Sequence, residues 1–343
     1  MKRTIGRILL LTLLTALICV GAKAAFWLLD NKIPNLEGTA ELYVYPDTGI
    51  EDVIVQIDTQ LVIKRPNSLR RAFMDKQVSD YMEPGHYVLK GSQTSVYVAR
   101  MLNNGWQTPV NLVLSGTLRR KGEIARKIAS QMMVDSARVM SAMCSQEFLS
   151  SYGFDTVNVF SLLIPDTYEM YWTASVEEIF DRQKKAYDEF WTEERKQKAR
   201  AQGLTPGEVS ILASIVKGET NFEPEMPRIA KVYLNRLHRG MKLQADPTIA
   251  FCYDYNVNRI LKRNLQIDSP YNTYKYAGLP PGPIYVPTKA CLEAVLNPEG
   301  GKELYFCADP SFNGSHRFAE TYTEHLKNAR EFQRALNRRR SAR

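Results

Sequence analysis

The clearest hydrophobic pattern in the chain is helical and starts just after position 204. Thr205 is typical of a helix cap, Pro206 fits the first turn, where its missing N–H costs nothing, and Glu208 completes a capping box. Apolar residues then recur at the spacing of one buried stripe: Val209, Leu212, Ala213 and Val216. The pattern predicts a helix from Pro206 to about Gly218.

Glu219 continues that stripe, since it lies three residues past Val216 and seven past Leu212. Its side chain is therefore expected to point toward the interior or a cleft. Desolvation can hold a carboxylic acid in its protonated form there, which a general acid that cleaves a glycosidic bond requires. The alternative is a glutamate that is exposed at the helix end or paired with Arg228, although the helix dipole disfavours an acid at this end. The sequence thus indicates an enzyme that acts on glycans.

Shorter patterns elsewhere predict strands interspersed with helices, so the fold class is α+β. Between residues 40 and 155 the expected elements are a strand at Ala40–Tyr45, a helix starting in Gly49–Ile57, a strand entered near Met82–Leu89, a helix at Ser95–Asn104, a strand at Pro109–Leu114 and a helix at Lys121–Met133. This order indicates two small α/β units. Further on, the charged stretch from Asp181 to Arg200 is predicted as one long helix that carries Phe190 and Trp191.

Two polar stretches after the predicted helix are candidates for binding a sugar. Side chains of the first alternate, so they share one face if the chain is extended: Gln244, Asp246 and Thr248. The second offers hydroxyl, amide and ring groups without charge: Tyr271, Asn272, Thr273 and Tyr274. Asp246-Pro247 is also typical of a turn, and the two tyrosines could instead fill the core of a packed strand.

The segment from Gly278 to Pro287 holds four prolines and two glycines in ten residues. Such a composition excludes regular helix and central strand. It predicts a rigid loop that edges the cleft, and a simple connector is the alternative. Asn235 stands close to a helix end, because Gly240 soon stops the helix, so it could be only a surface residue.

The N-terminus carries the pattern of an export or anchoring segment. Lys2, Arg3 and Arg7 precede the apolar stretch Ile8–Leu29, which only Lys23 interrupts. Charges before the stretch favour a single-span helix with the rest of the chain outside the cytoplasm. A cleavable signal peptide competes with this interpretation, because Ala22–Ala24 has a small-x-small pattern.

Composition excludes several kinds of site. The cysteines Cys144, Cys252, Cys291 and Cys307 are widely spaced and the histidines are scattered, so neither a metal site nor a histidine-based triad is indicated. One cysteine pair could be bridged in an oxidising compartment. The formal charge of +8 and the basic C-terminal residues could indicate nucleic acid, but no such motif is present and the N-terminal segment argues against it.

Several runs, taken together in their order over roughly residues 160 to 320, resemble the endolytic murein transglycosylase (YceG-like) family. They are Leu163–Tyr168, Leu212–Thr220, Val232–Leu237, Gly240–Thr248, Tyr271–Tyr274 and Gly278–Ile284. The resemblance implies cleavage of peptidoglycan glycan strands with one catalytic glutamate and no cofactor. Members of the family usually carry Glu-x-Glu at the helix end, whereas this chain has Lys217 at the first position, so the role falls to Glu219. Asn235 is then expected to orient the site.

The resemblance also implies an arrangement of domains. Residues 1–30 would form the cytoplasmic N-terminus and transmembrane anchor, 31–155 a LysM-like α/β region, 156–335 the mixed α/β catalytic domain and 336–343 a basic tail. The protein would be a single-pass protein of the inner (plasma) membrane with its catalytic domain on the periplasmic side. Its expected partners are peptidoglycan glycan strands, the membrane and cell-wall synthases, and no nucleic acid.

The implied reaction needs a single carboxyl group. Glu219 would protonate the glycosidic oxygen and then, as a carboxylate, accept the proton of the sugar 6-hydroxyl, which closes a 1,6-anhydro ring on N-acetylmuramic acid. Two alternatives remain open at this stage. One is a glycoside hydrolase that uses Glu219 and Asp246 as two carboxylates, and the other is a non-catalytic peptidoglycan-binding scaffold in which Lys217 marks a decayed site.

Overall fold

Helices and short two-stranded sheets make up the chain, which the computed structural model describes over residues 2–341. It divides into two units. The first comprises the residues up to Asn111 together with Glu169–Ala174, and the second comprises Leu112–Tyr168 and the residues from Ser175 onward. The mixed α/β composition predicted from the sequence is confirmed.

The first unit contains two antiparallel strand pairs with helices between the strands. Its elements are α1 (Lys2–Asn31), β1 (Leu36–Glu37), β2 (Thr39–Val44), α2 (Ile50–Gln60), β3 (Val62–Ile63), α3 (Pro66–Asp75), α4 (Val78–Tyr81), β4 (Gly85–Lys90) and α5 (Ser95–Asn103). β2 pairs with β4 from Thr39 opposite Lys90 to Val44 opposite Gly85, and β1 pairs with β3. Alternate residues of β2 are buried, as a strand with one core face requires.

Helix α1 bears out the predicted N-terminal apolar helix. Ile5–Asn31 is long and apolar enough to cross a membrane, and its most apolar stretch is exposed. The last turn of α1 nevertheless belongs to the core of the first unit. Asp30 is buried and pairs with Arg71 of α3 at 2.8 Å, and the Ser68 hydroxyl donates to the same carboxylate. This contact fixes the end of the apolar helix to the folded unit.

The second unit is mainly helical. Its helices are α6 (Lys121–Ala129), α7 (Ser136–Cys144), α8 (Gln146–Ser150), α9 (Val159–Leu162), α10 (Val176–Phe190), α11 (Glu193–Ala201), α12 (Pro206–Glu219), α13 (Met226–His238), α14 (Asp246–Cys252), α15 (Lys289–Leu296) and α16 (Tyr322–Ser341), with 3₁₀ turns at Glu223–Glu225 and Lys262–Gln266. The remaining strands are β5 (Val110–Val113), β6 (Thr167–Met170), β7 (Tyr305–Ala308) and β8 (His316–Ala319), paired as β5 with β6 and β7 antiparallel to β8.

Helix α12 lies at the centre of this unit. The predicted capping box is confirmed, because Thr205 Oγ1 accepts from the Glu208 amide and Glu208 Oε2 accepts from the Thr205 amide at 2.8 Å. Every residue from Val209 to Val216 is buried, and α12 packs against α13, α14 and α15. The buried surface is therefore wider than the predicted stripe, as expected for a helix surrounded by its own domain.

One helix prediction needs correction. The stretch Asp181–Arg200 is not one helix, since α10 ends at Phe190 and α11 starts at Glu193. Thr192 caps the second helix by accepting from the Arg195 amide at 3.3 Å, and the buried Trp191 fills the break. The predicted basic tail at 336–343 continues α16 as far as Ser341, and its last two residues lie outside the described residues.

Candidate active site

Glu219 is the last residue of α12, and its partly buried carboxyl group faces Tyr233 of α13. The Tyr233 hydroxyl donates a hydrogen bond of 2.5 Å to Glu219 Oε1. The pKa of Glu219 is raised to about 7, mainly by burial and also by the charge of Asp246. The Tyr233 hydrogen bond and the charge of Arg236 oppose that rise. Glu219 is thus a carboxyl group that holds a proton near neutral pH, as a general acid must.

The segment after α13 brings Asp246 to the same place, but not in the predicted conformation. Gln244 has a φ of +53°, and Asp246 begins α14 with Pro247 in the first turn. The expected extended face of Gln244, Asp246 and Thr248 is therefore wrong. Asp and Pro together favour a helix start over a strand here, because proline fits the first turn and has no N–H to donate.

Tyr274 and Asp246 form a second polar pair. The Tyr274 hydroxyl donates to Asp246 Oδ1 at 2.6 Å. Burial, followed by the hydrogen bond to Asp246, raises the pKa of Tyr274. Behind this pair, Thr273 Oγ1 lies 2.8 Å from Thr248 Oγ1 and accepts from the Ala245 amide at 3.0 Å. These buried hydroxyls hold the start of α14 against the Tyr271–Tyr274 segment and do not line a surface.

Arg236 supplies a buried cation next to the glutamate. It lies one turn after Tyr233 on α13, and its guanidinium donates to Leu304 O at 2.6 Å and to Leu243 O at 2.7 Å. The group is also 5.2 Å from the ring centre of Tyr305. Arg236 therefore joins the segments before α14 and before β7 beneath the site.

Two cavities meet at Glu219. The inner cavity, of about 350 Å³, is lined by Glu219, Tyr233, Arg236, Leu243, Gln244, Asp246, Tyr274, Tyr305, Phe306, Tyr322 and His325. The rings of Tyr305 and His325 stack there at 5.4 Å. The outer cavity, of about 730 Å³, is lined by the end of α12, by residues 308–316 and by α16, and includes Lys217, Phe222, Phe312 and Arg339. Glu219 lines both cavities, so this residue stands where two sugar-sized spaces adjoin.

The other predicted site residues lie outside these cavities. Asn235 Nδ2 donates to Gly301 O at 3.0 Å and to Glu303 O at 2.9 Å, so it fixes the loop before β7. Asn272 is fully buried and donates to Leu265 O and Ile267 O. Tyr271 lines a separate cavity. Of the predicted residues, the structure thus brings Glu219, Gln244, Asp246 and Tyr274 together.

Close backbone packing sets the position of Glu219. A Cβ atom on Gly218 would lie 2.5 Å from Pro247 Cβ and 3.0 Å from Tyr285 Cε2, so α12 and α14 approach each other only because this residue is glycine. Tyr285 belongs to the predicted proline-rich loop, which forms neither helix nor strand in the described chain. The Ile284 amide donates to Ser214 Oγ of α12 at 3.0 Å. The loop supports the active-site helix from behind.

Comparison with known proteins identifies the family of this chain. A family model described as the YceG-like family matches residues 42–331. The chain belongs to the YceG-like family. An endolytic murein transglycosylase of Bacillus subtilis is 28% identical over 286 residues, covering 78% of this chain and 77% of that protein. An endolytic murein transglycosylase of Streptococcus pneumoniae is 30% identical over 174 residues, covering 49% of this chain and 31% of that protein.

A solved structure shows the same fold. The crystal structure of a YceG-like protein from Listeria monocytogenes superposes with a TM-score of 0.53 and 26% sequence identity. The match covers 85% of this chain and 99% of that chain. The family resemblance recognised from short motifs is therefore confirmed over most of the chain.

Lys217, which replaces the first glutamate of the expected motif, lies on the outer cavity. Its ammonium group donates to Asn221 Oδ1 at 2.7 Å. Across residues 2–341, no group of three His, Cys, Asp or Glu side chains is placed to hold a metal ion. Cys144, Cys252, Cys291 and Cys307 are all free thiols in the structure.

The sequence patterns did not identify Tyr233 and Arg236. They also did not identify the rings that line the inner cavity from β7 and α16, which are Tyr305, Tyr322 and His325. A signal was present for the first two, because they stand three residues apart on a predicted helix and share one face. Tyr305, Tyr322 and His325 lie about 85 to 105 residues after Glu219 in sequence, and no local pattern joins them to it.

Proposed function

We propose that this chain is a membrane-anchored lytic transglycosylase that cleaves peptidoglycan glycan strands internally, with Glu219 as general acid and then general base. The observation that carries the proposal is the partly buried carboxyl group of Glu219, whose pKa is raised to about 7 in a residue that lines both cavities. The family and the relatives named endolytic murein transglycosylase support the same substrate and reaction.

The reaction can be written with Glu219 as the single proton carrier. The protonated carboxyl group gives its proton to the glycosidic oxygen while the bond from that oxygen to C1 of N-acetylmuramic acid breaks. The resulting carboxylate accepts the proton of the C6 hydroxyl as that oxygen attacks C1. A 1,6-anhydro ring forms, the second glycan fragment leaves with a free hydroxyl, and Glu219 regains its proton. Water takes no part.

The surroundings of Glu219 suit the two halves of this cycle. Burial favours the protonated acid, whereas the Tyr233 hydrogen bond and the nearby Arg236 stabilise the carboxylate that forms after proton transfer. Asp246 lines the same cavity and could support the positive charge that develops at C1. The rings of Tyr305 and Tyr322 offer faces on which a sugar could stack.

The two cavities support internal cleavage of a strand. A glycan that continues on both sides of the scissile bond needs space on both sides of the catalytic group. The inner and outer cavities provide it on either side of Glu219. Thr248, Thr273 and Asn272 would then act indirectly, by holding the segments that carry Gln244, Asp246 and Tyr274. Asn235 would act indirectly too, by holding the loop before β7.

The apolar helix α1 supports a proposed location for the protein. Helix α1 would anchor the protein in the inner (plasma) membrane with residues 1–30 as the cytoplasmic end and anchor, and the catalytic domain (156–335) would lie on the periplasmic side. Residues 31–155 would form the LysM-like region that holds glycan. Cell-wall synthases that extend the same strands would be partners, because the substrate is their product.

Asp246 gives one specific observation in favour of a second function. Its carboxylate lines the cavity of Glu219, so the pair could act as a two-carboxylate glycoside hydrolase that admits water. Hydrolysis would leave reducing ends in place of anhydro ends. A binding scaffold without catalysis would release no products at all.

Mass spectrometry of released products tests these functions directly. The full-length protein in detergent is incubated with purified peptidoglycan strands, beside its Glu219→Gln variant. Products with 1,6-anhydro ends, absent with the variant, would support the proposal. Reducing ends would establish hydrolysis, and a folded protein that binds strands and releases no products would overturn both enzymatic functions.

A further inference from the structure

A third cavity in the second unit is not used by the proposed reaction. This basic cavity has a volume of about 540 Å³ and lies at the start of α6. Its walls combine arginine and lysine side chains with apolar and aromatic ones. Phe251 and Tyr271 contribute rings whose centres are 4.5 Å apart.

Three of the cations in the basic cavity lack an acidic partner, and one of them, Lys121, donates to the backbone oxygens of Met143 and Thr156. Arg120 pairs with Glu123 at 2.8 Å and with Asp254 at 3.2 Å, and these are the carboxylates that line the cavity. Arg119 and Arg126 also line it and form no ion pair with any residue in 2–341. Because two guanidinium groups face one space without a counter-ion, the cavity is suited to an anion.

The position of Arg119 is fixed. Its guanidinium lies 4.5 Å from the ring centre of Tyr255. The Tyr255 hydroxyl in turn donates a hydrogen bond to Ile284 O in the proline-rich loop. The same loop packs tightly against Val157, since a Cβ on Gly282 would lie 2.4 Å from Val157 O. The cation and the apolar wall are therefore held in place before a ligand arrives.

The basic cavity is connected to the active site through two short elements. Helix α14 carries Asp246 at its start, in the inner cavity, and Phe251 near its end, in the basic cavity. The segment with Tyr274 in the inner cavity has Tyr271 in the basic one. A seven-residue helix is about 10 Å long, so the two cavities are near neighbours.

We propose that the basic cavity binds a carboxylate of the stem peptides that peptidoglycan strands carry, through Arg119 and Arg126. This inference rests on the proposed function for the identity of the substrate. An anion with small apolar substituents matches a site where two guanidinium groups face Val157, Phe251 and Tyr271. The sugar backbone is uncharged at most positions, so the free arginines are better explained by the peptide than by the glycan. The cavity would hold the strand by its peptide while Glu219 acts on the adjacent sugar.

Binding of glycan strands with and without peptides tests the inference. The full-length chain in detergent is titrated with strands that carry peptides and with strands from which an amidase has removed them, in the Glu219→Gln background to prevent cleavage. The double variant Arg119→Gln/Arg126→Gln is compared with Arg138→Gln, an exposed arginine of α7 that lies outside the cavity wall. The protein that keeps Arg119 and Arg126 should bind peptide-carrying strands with about 10-fold higher affinity than peptide-free strands, and the double variant should lose this preference.

The outcomes separate the inference from the function on which it rests. Equal weakening for both kinds of strand, equal weakening by Arg138→Gln, or no weakening would overturn the peptide subsite. Strands whose peptide carboxylates are amidated should bind like peptide-free strands, and tight binding of them would also overturn it. If Arg126→Gln alone, at an exposed position, reproduces part of the loss, misfolding is not the cause. If the protein that keeps both arginines binds the two kinds of strand equally, while the wild type releases anhydro products normally, only the subsite is refuted. If that protein prefers peptide-carrying strands but the wild type releases no products, only the proposed reaction is refuted.

Discussion

The Tyr233 hydroxyl donates to Glu219 Oε1 at 2.5 Å, from a helix that follows the helix of Glu219. Burial raises the pKa of this carboxyl group, and the hydrogen bond from Tyr233 lowers it. The resulting pKa of about 7 therefore depends mainly on how these two opposing effects balance. The balance matters because the proposed reaction needs the group as an acid in one step and as a base in the next.

The pH dependence of turnover should report that balance. For wild type, kcat/KM should fall as the pH rises through about 7, because only protonated Glu219 can start the reaction. Tyr233→Phe removes the hydrogen bond that lowers this pKa, while Asp246 and Arg236 still face the group, so the alkaline limb should move upward by about 0.5 to 1 pH unit. A pH–rate profile of both proteins checks it. A limb that stays in place, or that moves to lower pH, would contradict the assigned balance.

Asp246 should matter less than Glu219. Glu219→Gln removes the proton carrier, so turnover should fall by about 10³-fold or more while strand binding persists. Asp246→Asn removes only a nearby charge, and the expected loss is about 10-fold. Tyr274→Phe, which deletes the hydrogen bond to Asp246, should cost no more than Asp246→Asn. Initial rates of anhydro-product release measure all three, and equal, complete losses for both acids would favour the two-carboxylate hydrolase.

Glu219 should also make the folded protein less stable at high pH. Its pKa is raised from an ordinary value of 4.5 to about 7 in the folded state, so the unfolded chain releases the proton first. The free energy of unfolding therefore declines as the pH rises between these values, by on the order of 3 kcal/mol at most. Glu219→Gln should resemble wild type near about pH 5 and unfold at a higher temperature near about pH 8. Thermal unfolding of the two proteins at both pH values gives the comparison. A variant that is less stable than wild type at the higher pH would contradict a raised pKa of Glu219 caused by desolvation.

Gly218 should tolerate no side chain. A methyl group there would meet Pro247 Cβ at 2.5 Å, so Gly218→Ala should push α12 from α14, reduce stability by about 1 to 3 kcal/mol and slow turnover by displacing Glu219 from Asp246. Gly207→Ala in the first turn of the same helix is the matched control, because a Cβ at Gly207 has no neighbour within 4 Å. The control should be neutral or gain up to about 1 kcal/mol. Denaturation curves and product assays on both variants test this, and equal effects of the two substitutions would show that close packing at Gly218 is unimportant.

Local patterns were sufficient for much of the fold. The Thr205–Glu208 capping box, the helix to about Gly218 and the strand at Ala40–Tyr45 depend on contacts between residues close in sequence. The structure confirms all three, with the helix ending at Glu219 and the strand at Thr39–Val44. The stretch Asp181–Arg200 was wrongly predicted as one helix, because its charges fit a continuous helix. The break between the two helices depends on the burial of Trp191, which the local pattern does not show. The extended conformation expected for Gln244–Thr248 was wrong for a related reason. Alternating polar residues occur both in a strand and at the start of a helix, so the pattern does not distinguish them.

By itself, the sequence determined the helix that ends at Glu219, the apolar N-terminal helix and the family, and it singled out Glu219 as the candidate acid. Each of these is carried by residues close together in the chain or by motifs in a fixed order. Only the tertiary structure decided what surrounds Glu219. Tyr233 and Asp246 reach it from separate helices, and Tyr305 reaches the inner cavity from a distant strand. Desolvation and hydrogen bonding act through space, so the pKa of the acid and the two cavities beside it arise only when these elements are packed together.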